Sequence, residues 1–156
     1  MRPPLRAFAV LSVVVLCGLS TPAAASPHGF GLQLGASFDD DDLLAGVHYI
    51  LPITHAIDIV PTVDVGTAGG DGALTLSGNL HYNLLPSAET GPYVGMGFSS
   101  FSAGPSDDTS DTPDAAGPTV LGGVWFNRHG GTAYSIEGRF GFSGLPAFTV
   151  QLGVTF

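Results

Sequence analysis

Residues 147–156 read AFTVQLGVTF. Apolar side chains occupy every second position of this stretch: Phe148, Val150, Leu152, Val154 and Phe156. Threonine, glutamine and glycine fill the positions between them. Strict alternation over ten residues is typical of a β-strand, because successive side chains point to opposite faces. This stretch therefore predicts a strand with one apolar face and one polar face.

The same alternation recurs, less regularly, in seven earlier stretches, and no stretch after residue 25 has a helical period. The seven stretches are residues 30–38, 43–51, 57–65, 74–84, 93–101, 119–126 and 134–142. Connections containing Gly, Pro, Asn or Asp separate them. The sequence therefore predicts an all-β fold of eight antiparallel strands in up-and-down order.

The composition is unusual for a soluble domain. Of 156 residues, 44% are hydrophobic and only 11% are charged, against about 25% charged in typical soluble domains. The sequence contains no Lys, 4 Arg and 13 Asp and Glu, which gives a formal net charge of −9. This balance excludes a nucleic-acid-binding protein, which needs a basic surface. The length suits one domain.

The N-terminal segment has the layout of a secretory signal peptide. Arg2 and Arg6 precede an apolar run, residues 7–19, and three alanines end at Ala25. We predict a signal peptide over residues 1–25 and one barrel domain over residues 26–156. The single cysteine, Cys17, falls within the signal peptide. Removal of the signal peptide leaves two arginines and all 13 acids, which gives a net charge of −11.

The polar face of the strands consists mainly of Gly, Ser, Thr, Asn, Gln and His, with few long charged side chains. Small polar residues suit the narrow interior of an eight-stranded barrel, whereas Phe, Leu, Val and Ile on the other face suit lipid. We therefore predict a closed transmembrane β-barrel, polar inside and apolar outside. Two alternatives remain open: a secreted soluble β-barrel that binds a small apolar ligand, and a narrow pore for small solutes.

The alternating stretch from Phe148 to Phe156 also resembles the C-terminal assembly signal of bacterial outer-membrane proteins. With the signal peptide and the eight strands, residues 26–156 are similar to small barrels of the OmpA, OmpX and OmpW type. The resemblance implies insertion into the outer membrane by the barrel-assembly machinery, and contact with outer-membrane lipid and lipopolysaccharide. It implies no single activity, because one fold serves many functions.

Four charged residues are predicted to face the barrel interior. They are Asp58, Asp64, Glu137 and Arg139. A buried arginine needs a partner, so we predict an ion-pair network that fills the lumen.

The connections after the first, third and fifth strands contain nine of the 13 acids. The two largest groups are Asp39, Asp40, Asp41 and Asp42, then Asp107, Asp108, Asp111 and Asp114. We expect these acidic loops outside the cell, where their carboxylates are candidate ligands for Ca²⁺ or Mg²⁺. Neither group has the spacing of an EF-hand.

No catalytic residue and no cofactor is predicted. Neither a Gly-x-Ser-x-Gly turn nor a His followed two positions later by Ser occurs after residue 25, and the histidines lack close metal-ligand spacing. Aromatic residues near the strand ends predict a belt at the membrane surface. These residues are Phe30, Phe38, Tyr49, Tyr82, Tyr93, Trp125, Phe126, Phe142 and Phe156.

Overall fold

The computed structural model describes residues 28–39, 42–67, 72–103 and 115–156. The predicted signal peptide lies outside these residues. The strands are β1 Gly29–Ser37, β2 Asp42–Pro52, β3 Ile57–Gly66, β4 Ala73–Asn83, β5 Gly91–Ala103, β6 Ala115–Phe126, β7 Ala133–Gly141 and β8 Phe148–Thr155. Among the described residues there is no helix with the length and apolar character needed to cross a membrane.

Each strand pairs antiparallel with the next one along the chain, and β1 also pairs with β8. The sheet is therefore a closed barrel, and the predicted eight-stranded up-and-down topology is confirmed. We call the β1–β8 pair the closing seam. It extends from Gly31 opposite Thr155 to Ser37 opposite Thr149.

The barrel has two rims. The start of β1 and the end of β8 lie at one rim, called here the terminal rim, together with the connections 53–56, 84–90 and 127–132. At the opposite rim, called the loop rim, strands β1, β3, β5 and β7 end and the strands that follow them begin. The connections predicted to be acid-rich follow strands that end at this rim, and most of their acids lie outside the described residues.

The side chains alternate between the lumen and the outer wall, with the apolar face outside. Leu34 and Met96 on the wall are 66% and 65% exposed, whereas Asp58 and Asp64 in the lumen are 0% and 2% exposed. The predicted polar-in, apolar-out arrangement is confirmed. It is the arrangement of transmembrane barrels and the reverse of a soluble barrel.

Strand bounds differ most from prediction in the β5–β6 hairpin. The predicted strands began at Tyr93 and Thr119, but β5 begins at Gly91 and β6 at Ala115. Ladder pairing continues to Phe101 opposite Ala115. Backbone pairing requires no apolar side chain, so the apolar alternation underestimates the length of these strands.

Two sequence-based placements are wrong. Asp42 was assigned to an acidic loop, but it begins β2 opposite Ser37 and is buried. Tyr93 and Trp125 were assigned to the aromatic belt, but both face the lumen and are 2% exposed. The other seven predicted belt aromatics are exposed or half-buried on the outside.

Candidate functional site

The polar lumen contains the buried charges of the described chain and is the candidate site. Its middle is organised around Glu137 on β7. The Arg139 guanidinium donates to Glu137 Oε1 from Nη2 at 2.7 Å and from Nε at 3.1 Å. The Tyr93 hydroxyl donates to the other oxygen, Oε2, at 2.8 Å. Because both carboxylate oxygens accept hydrogen bonds, this buried charge is well satisfied.

A stack of three rings, from β4, β5 and β6, lies beside Glu137. Tyr93 on β5 stacks between His81 and Trp125, with ring centroids 4.8 Å and 5.3 Å away. His81 Nε2 lies 3.6 Å from Glu137 Oε2. The stack fixes the Tyr93 ring, and the ring in turn places its hydroxyl on the carboxylate.

A second chain of hydrogen bonds passes through His48 on β2. Gln33 Nε2 donates to Asp64 Oδ1 at 2.6 Å, which leaves Gln33 Oε1 to accept from His48 Nδ1 at 3.1 Å. With its proton on Nδ1, the imidazole accepts from the Thr155 hydroxyl at Nε2, over 2.8 Å. This chain joins strands β3, β1, β2 and β8.

Glycines on the lumen face let these long side chains cross a strand. Gly123 lies between Tyr93 and Glu137 in the ladder, and Gly46 neighbours Asp64, the partner of Gln33. A Cβ on Gly123 would meet the Tyr93 ring, and one on Gly46 would meet the Asp64 carboxylate. Each glycine therefore allows side chains on the two flanking strands to meet above it.

The terminal rim has its own ion pair, which the sequence did not predict. Arg128, in the connection 127–132, extends into the lumen until Nη2 lies 3.6 Å from Asp58 Oδ2. Asn83 Nδ2 donates to the same oxygen at 2.7 Å. Burial lowers the pKa of the Arg128 guanidinium, and the Asp58 carboxylate opposes that shift.

The backbone of the same turn is anchored to its neighbour. Arg128 N donates to Glu89 O at 2.8 Å, and Arg128 Nη1 donates to Pro86 O at 3.4 Å. Asn127 has a φ of 54°, a left-handed conformation that asparagine tolerates better than most residues. The connections 84–90 and 127–132 are therefore held against each other, with Arg128 directed inward.

Side chains leave little free space in the lumen. A cavity of about 40 Å³ near the loop rim is lined by residues including Asp64, Thr119 and Arg139. A second cavity, of about 20 Å³, lies among residues including His48, His81 and Arg139. A water molecule needs roughly 10–15 Å³ on this scale. The first cavity therefore has room for a few water molecules, and the second for one.

The structure divides the four predicted lumen charges among three groups. Glu137 pairs with Arg139, and Asp64 lies in the chain that contains Gln33 and His48. Asp58 belongs to the separate pair with Arg128 near the terminal rim. The predicted single network is therefore divided into three groups, and its role in filling the lumen stays a prediction.

Most of the predicted acidic-loop ligands lie outside the described residues: Asp40, Asp41, Asp107, Asp108, Asp111 and Asp114. Asp39 is exposed and accepts a hydrogen bond from Phe148 N at 2.9 Å, whereas Asp42 accepts one from the Thr67 hydroxyl at 3.4 Å. Within the part of the chain that the structure describes, no three His, Cys, Asp or Glu residues are grouped to hold a metal. Binding of Ca²⁺ or Mg²⁺ stays a prediction.

The residues of the predicted assembly signal lie along β8 and just beyond it, on the outer face. Phe148 contacts Phe38 and Phe140, with ring centroids 5.6 Å and 4.8 Å away. Leu152 and Phe156 are exposed, whereas Val150 and Val154 are half-buried. Recognition by the assembly machinery stays a prediction.

Comparison with solved structures places the fold among membrane barrels. The chain is similar to the N-terminal β-barrel domain of Pseudomonas aeruginosa OprF, with a TM-score of 0.62 and 12% identity over 83% of this chain and 96% of that one. It is also similar to a de novo designed transmembrane β-barrel, with a TM-score of 0.55 and 16% identity over 88% and 98% of the two chains.

A weaker likeness is to the outer membrane enzyme PagL, with a TM-score of 0.48 and 12% identity over 81% of this chain and 99% of that one. No family model and no curated protein matches the sequence. Identities this low show a shared fold and nothing about activity.

Proposed function

We propose that the chain is an outer-membrane β-barrel protein with a structural or surface-interaction role and no catalytic activity. The observation that carries this proposal is the reversal of the usual protein surface. Large apolar side chains such as Leu34, Met96 and Phe98 are exposed on the wall, whereas Asp58, Asp64 and Glu137 are buried inside.

Lipid is the environment that suits such a wall. A soluble monomer rarely exposes apolar patches of more than a few hundred Å², and a closed barrel satisfies every backbone hydrogen bond in hydrocarbon. The strands contain between 8 residues, in β8, and 13 residues, in β5. A tilted strand of about 9–11 residues crosses the hydrocarbon layer, so the barrel has the height that a membrane requires.

The lumen argues against both alternatives. An apolar ligand has no suitable place in the cavities described above, because they measure only about 40 and 20 Å³. Arg139 lines both cavities and is held by Glu137. This pair obstructs a path for solutes between the rims, so we propose a barrel that does not conduct.

One set of lumen residues is connected by hydrogen bonds in the way that a catalytic triad is, but a substrate cannot reach it. Thr155, His48 and Gln33 form a hydroxyl–imidazole–amide chain. Thr155 is 2% exposed, and the cavity beside His48 has the size of one water molecule. Because a substrate has no room to reach the hydroxyl, we assign these residues a structural role.

We also propose an orientation in the membrane and the partners of the barrel. We place the terminal rim in the periplasm and the acidic loops outside the cell, beside lipopolysaccharide. The alternating residues from Phe148 to Phe156 are proposed to engage the barrel-assembly machinery during insertion. Outer-membrane lipid then covers the apolar wall.

Membrane fractionation with a heat-modifiability gel tests the membrane location. We expect the protein in the outer-membrane fraction, extractable only with detergent, and a different gel mobility before and after boiling. A protein that stays soluble and monomeric without detergent would refute the proposal.

Planar-bilayer recording tests the closed lumen separately. Purified protein is expected to insert without producing conductance steps. Reproducible steps from folded protein would favour the narrow pore while leaving the membrane location intact.

A further inference from the structure

We propose that His48 holds the closing seam together, acting as a side-chain clasp that joins β2 to β8 over β1. The clasp consists of His48, Gly31 and Thr155. This inference rests on the closed topology and the lumen contacts, not on the proposed function. It gives a specific role to His48, a histidine that the sequence pattern alone does not explain.

The register places the three residues in one row across the seam. Gly31 on β1 is opposite His48 on β2 and also opposite Thr155 on β8. His48 and Thr155 are 5% and 2% exposed, and both face the lumen. The hydrogen bond between His48 Nε2 and the Thr155 hydroxyl, at 2.8 Å, therefore passes over the intervening strand.

Gly31 is the feature that makes this crossing sterically feasible. A Cβ at this position would collide with the His48 ring and would also meet Val154 O, the latter at 2.6 Å. On β8, a Cβ on Gly153 would lie 3.4 Å from His48 Cε1. The imidazole thus lies against backbone on both sides of the seam.

The other end of the imidazole is anchored within β1 to β3. His48 Nδ1 donates to Gln33 Oε1, and Gln33 Nε2 donates to Asp64 on β3. A separation of β8 from β1 would therefore break the His48–Thr155 bond while leaving the Gln33 and Asp64 bonds in place. The His48–Thr155 bond therefore opposes opening of the seam.

Unfolding kinetics with disulfide staples provide the test. One staple, Leu34→Cys with Leu152→Cys, joins opposite residues of the seam; the other, Leu80→Cys with Met96→Cys, joins β4 to β5. Opposite residues in antiparallel strands lie about 4.5–5.5 Å apart at Cα, within disulfide range. Cys17 is the only native cysteine and lies in the predicted signal peptide, so the barrel of residues 26–156 contains only the introduced cysteines.

We expect His48→Ala to accelerate unfolding from detergent micelles about tenfold without a staple and with the β4–β5 staple. With the seam staple the acceleration should fall below about twofold. The reason is that the clasp then remains formed in the transition state and no longer contributes to the barrier. Each comparison is made within one staple background, because a staple changes the unfolding rate by itself.

His81→Ala is the matched control. It also deletes a buried lumen imidazole, but on β4, where pairing with β5 survives opening of the seam. Without a staple it should accelerate unfolding less than about threefold, clearly less than His48→Ala.

Thr155→Val provides a second variant if His48→Ala does not fold. It removes the hydroxyl and keeps the side-chain volume and Phe156, and we expect the same dependence on the seam staple. An acceleration equal in all three backgrounds, or no acceleration in any, would overturn the clasp.

Discussion

Arg128 reaches Asp58 inside the terminal rim, with Nη2 3.6 Å from Oδ2, although Arg128 belongs to a turn and not to a strand. Both residues are almost completely buried, at 2% and 0% exposed. The turn therefore supplies the cation that this part of the lumen requires. Because this turn lies at the terminal rim, it helps to close that end of the lumen.

Arg128→Gln should destabilise the barrel by about 3 kcal/mol, because it leaves the Asp58 carboxylate buried beside Asn83 without a cation. Urea unfolding in micelles, followed through Trp125, measures the free energy. The reporter is well placed, since Trp125 is the chain's single tryptophan and lies in the lumen.

The double variant Asp58→Asn with Arg128→Gln is the control. Removal of both charges should recover most of the lost free energy, because no unpaired charge remains. If the double variant is as unstable as Arg128→Gln alone, the ion pair is not the source of the loss.

The sequence alone predicts the barrel and its orientation of faces. The alternation from Phe148 to Phe156 defines β8, and the small polar face predicts the lumen. The sequence also contained the information needed to place Tyr93 correctly. Tyr93 lies an even number of positions from Gly95 and Gly97, so it lies with them on the lumen face of β5. The belt was assigned from nearness to a strand end, which ignores this alternation. In the structure the alternation decides whether a side chain faces the lumen or the outer wall.

Contacts that depend on the register between strands were not predictable. Glu137 and Arg139 are two residues apart on one strand face, so their proximity follows from the sequence. The Arg128–Asp58 pair instead requires a turn to fold inward, and the His48–Thr155 bond requires the register of three strands. Alternation within each strand excludes a slip of one residue but allows a slip of two, so it does not decide which lumen residues lie opposite each other.

Arg139→Met should lower the free energy of unfolding by about 3–5 kcal/mol, because it leaves Glu137 buried with only the Tyr93 hydroxyl as a close donor. The same urea titration measures the loss. Glu137→Gln combined with Arg139→Met should be more stable than Arg139→Met alone. Unchanged stability of the single variant would contradict a structural role for the pair.

Tyr93→Phe should cost about 2 kcal/mol, the range for a hydrogen bond to a charged group. It removes the bond to Glu137 and keeps the ring between His81 and Trp125. The fluorescence maximum of Trp125 should therefore stay unchanged, whereas Tyr93→Leu should shift it as well as lower stability. Equal stability of Tyr93→Phe and the wild type would show that the hydroxyl bond contributes nothing.

Gly123→Ala tests whether the lumen glycines are required for the contacts that cross over them. A Cβ at Gly123 would lie 2.5 Å from the Tyr93 ring and 2.5 Å from Ile136 O. Because one of these atoms is backbone, the strand itself must shift, and we expect a loss of at least about 2 kcal/mol.

Gly78→Ala is the matched control, since a Cβ on this β4 glycine would meet nothing within 4 Å. We expect its free energy of unfolding to stay within about 0.5 kcal/mol of the wild type. Urea unfolding of the two variants side by side separates steric crowding in the lumen from the general effect of replacing a strand glycine. Equal losses would mean that the Tyr93–Glu137 contact does not depend on the absence of a side chain at Gly123.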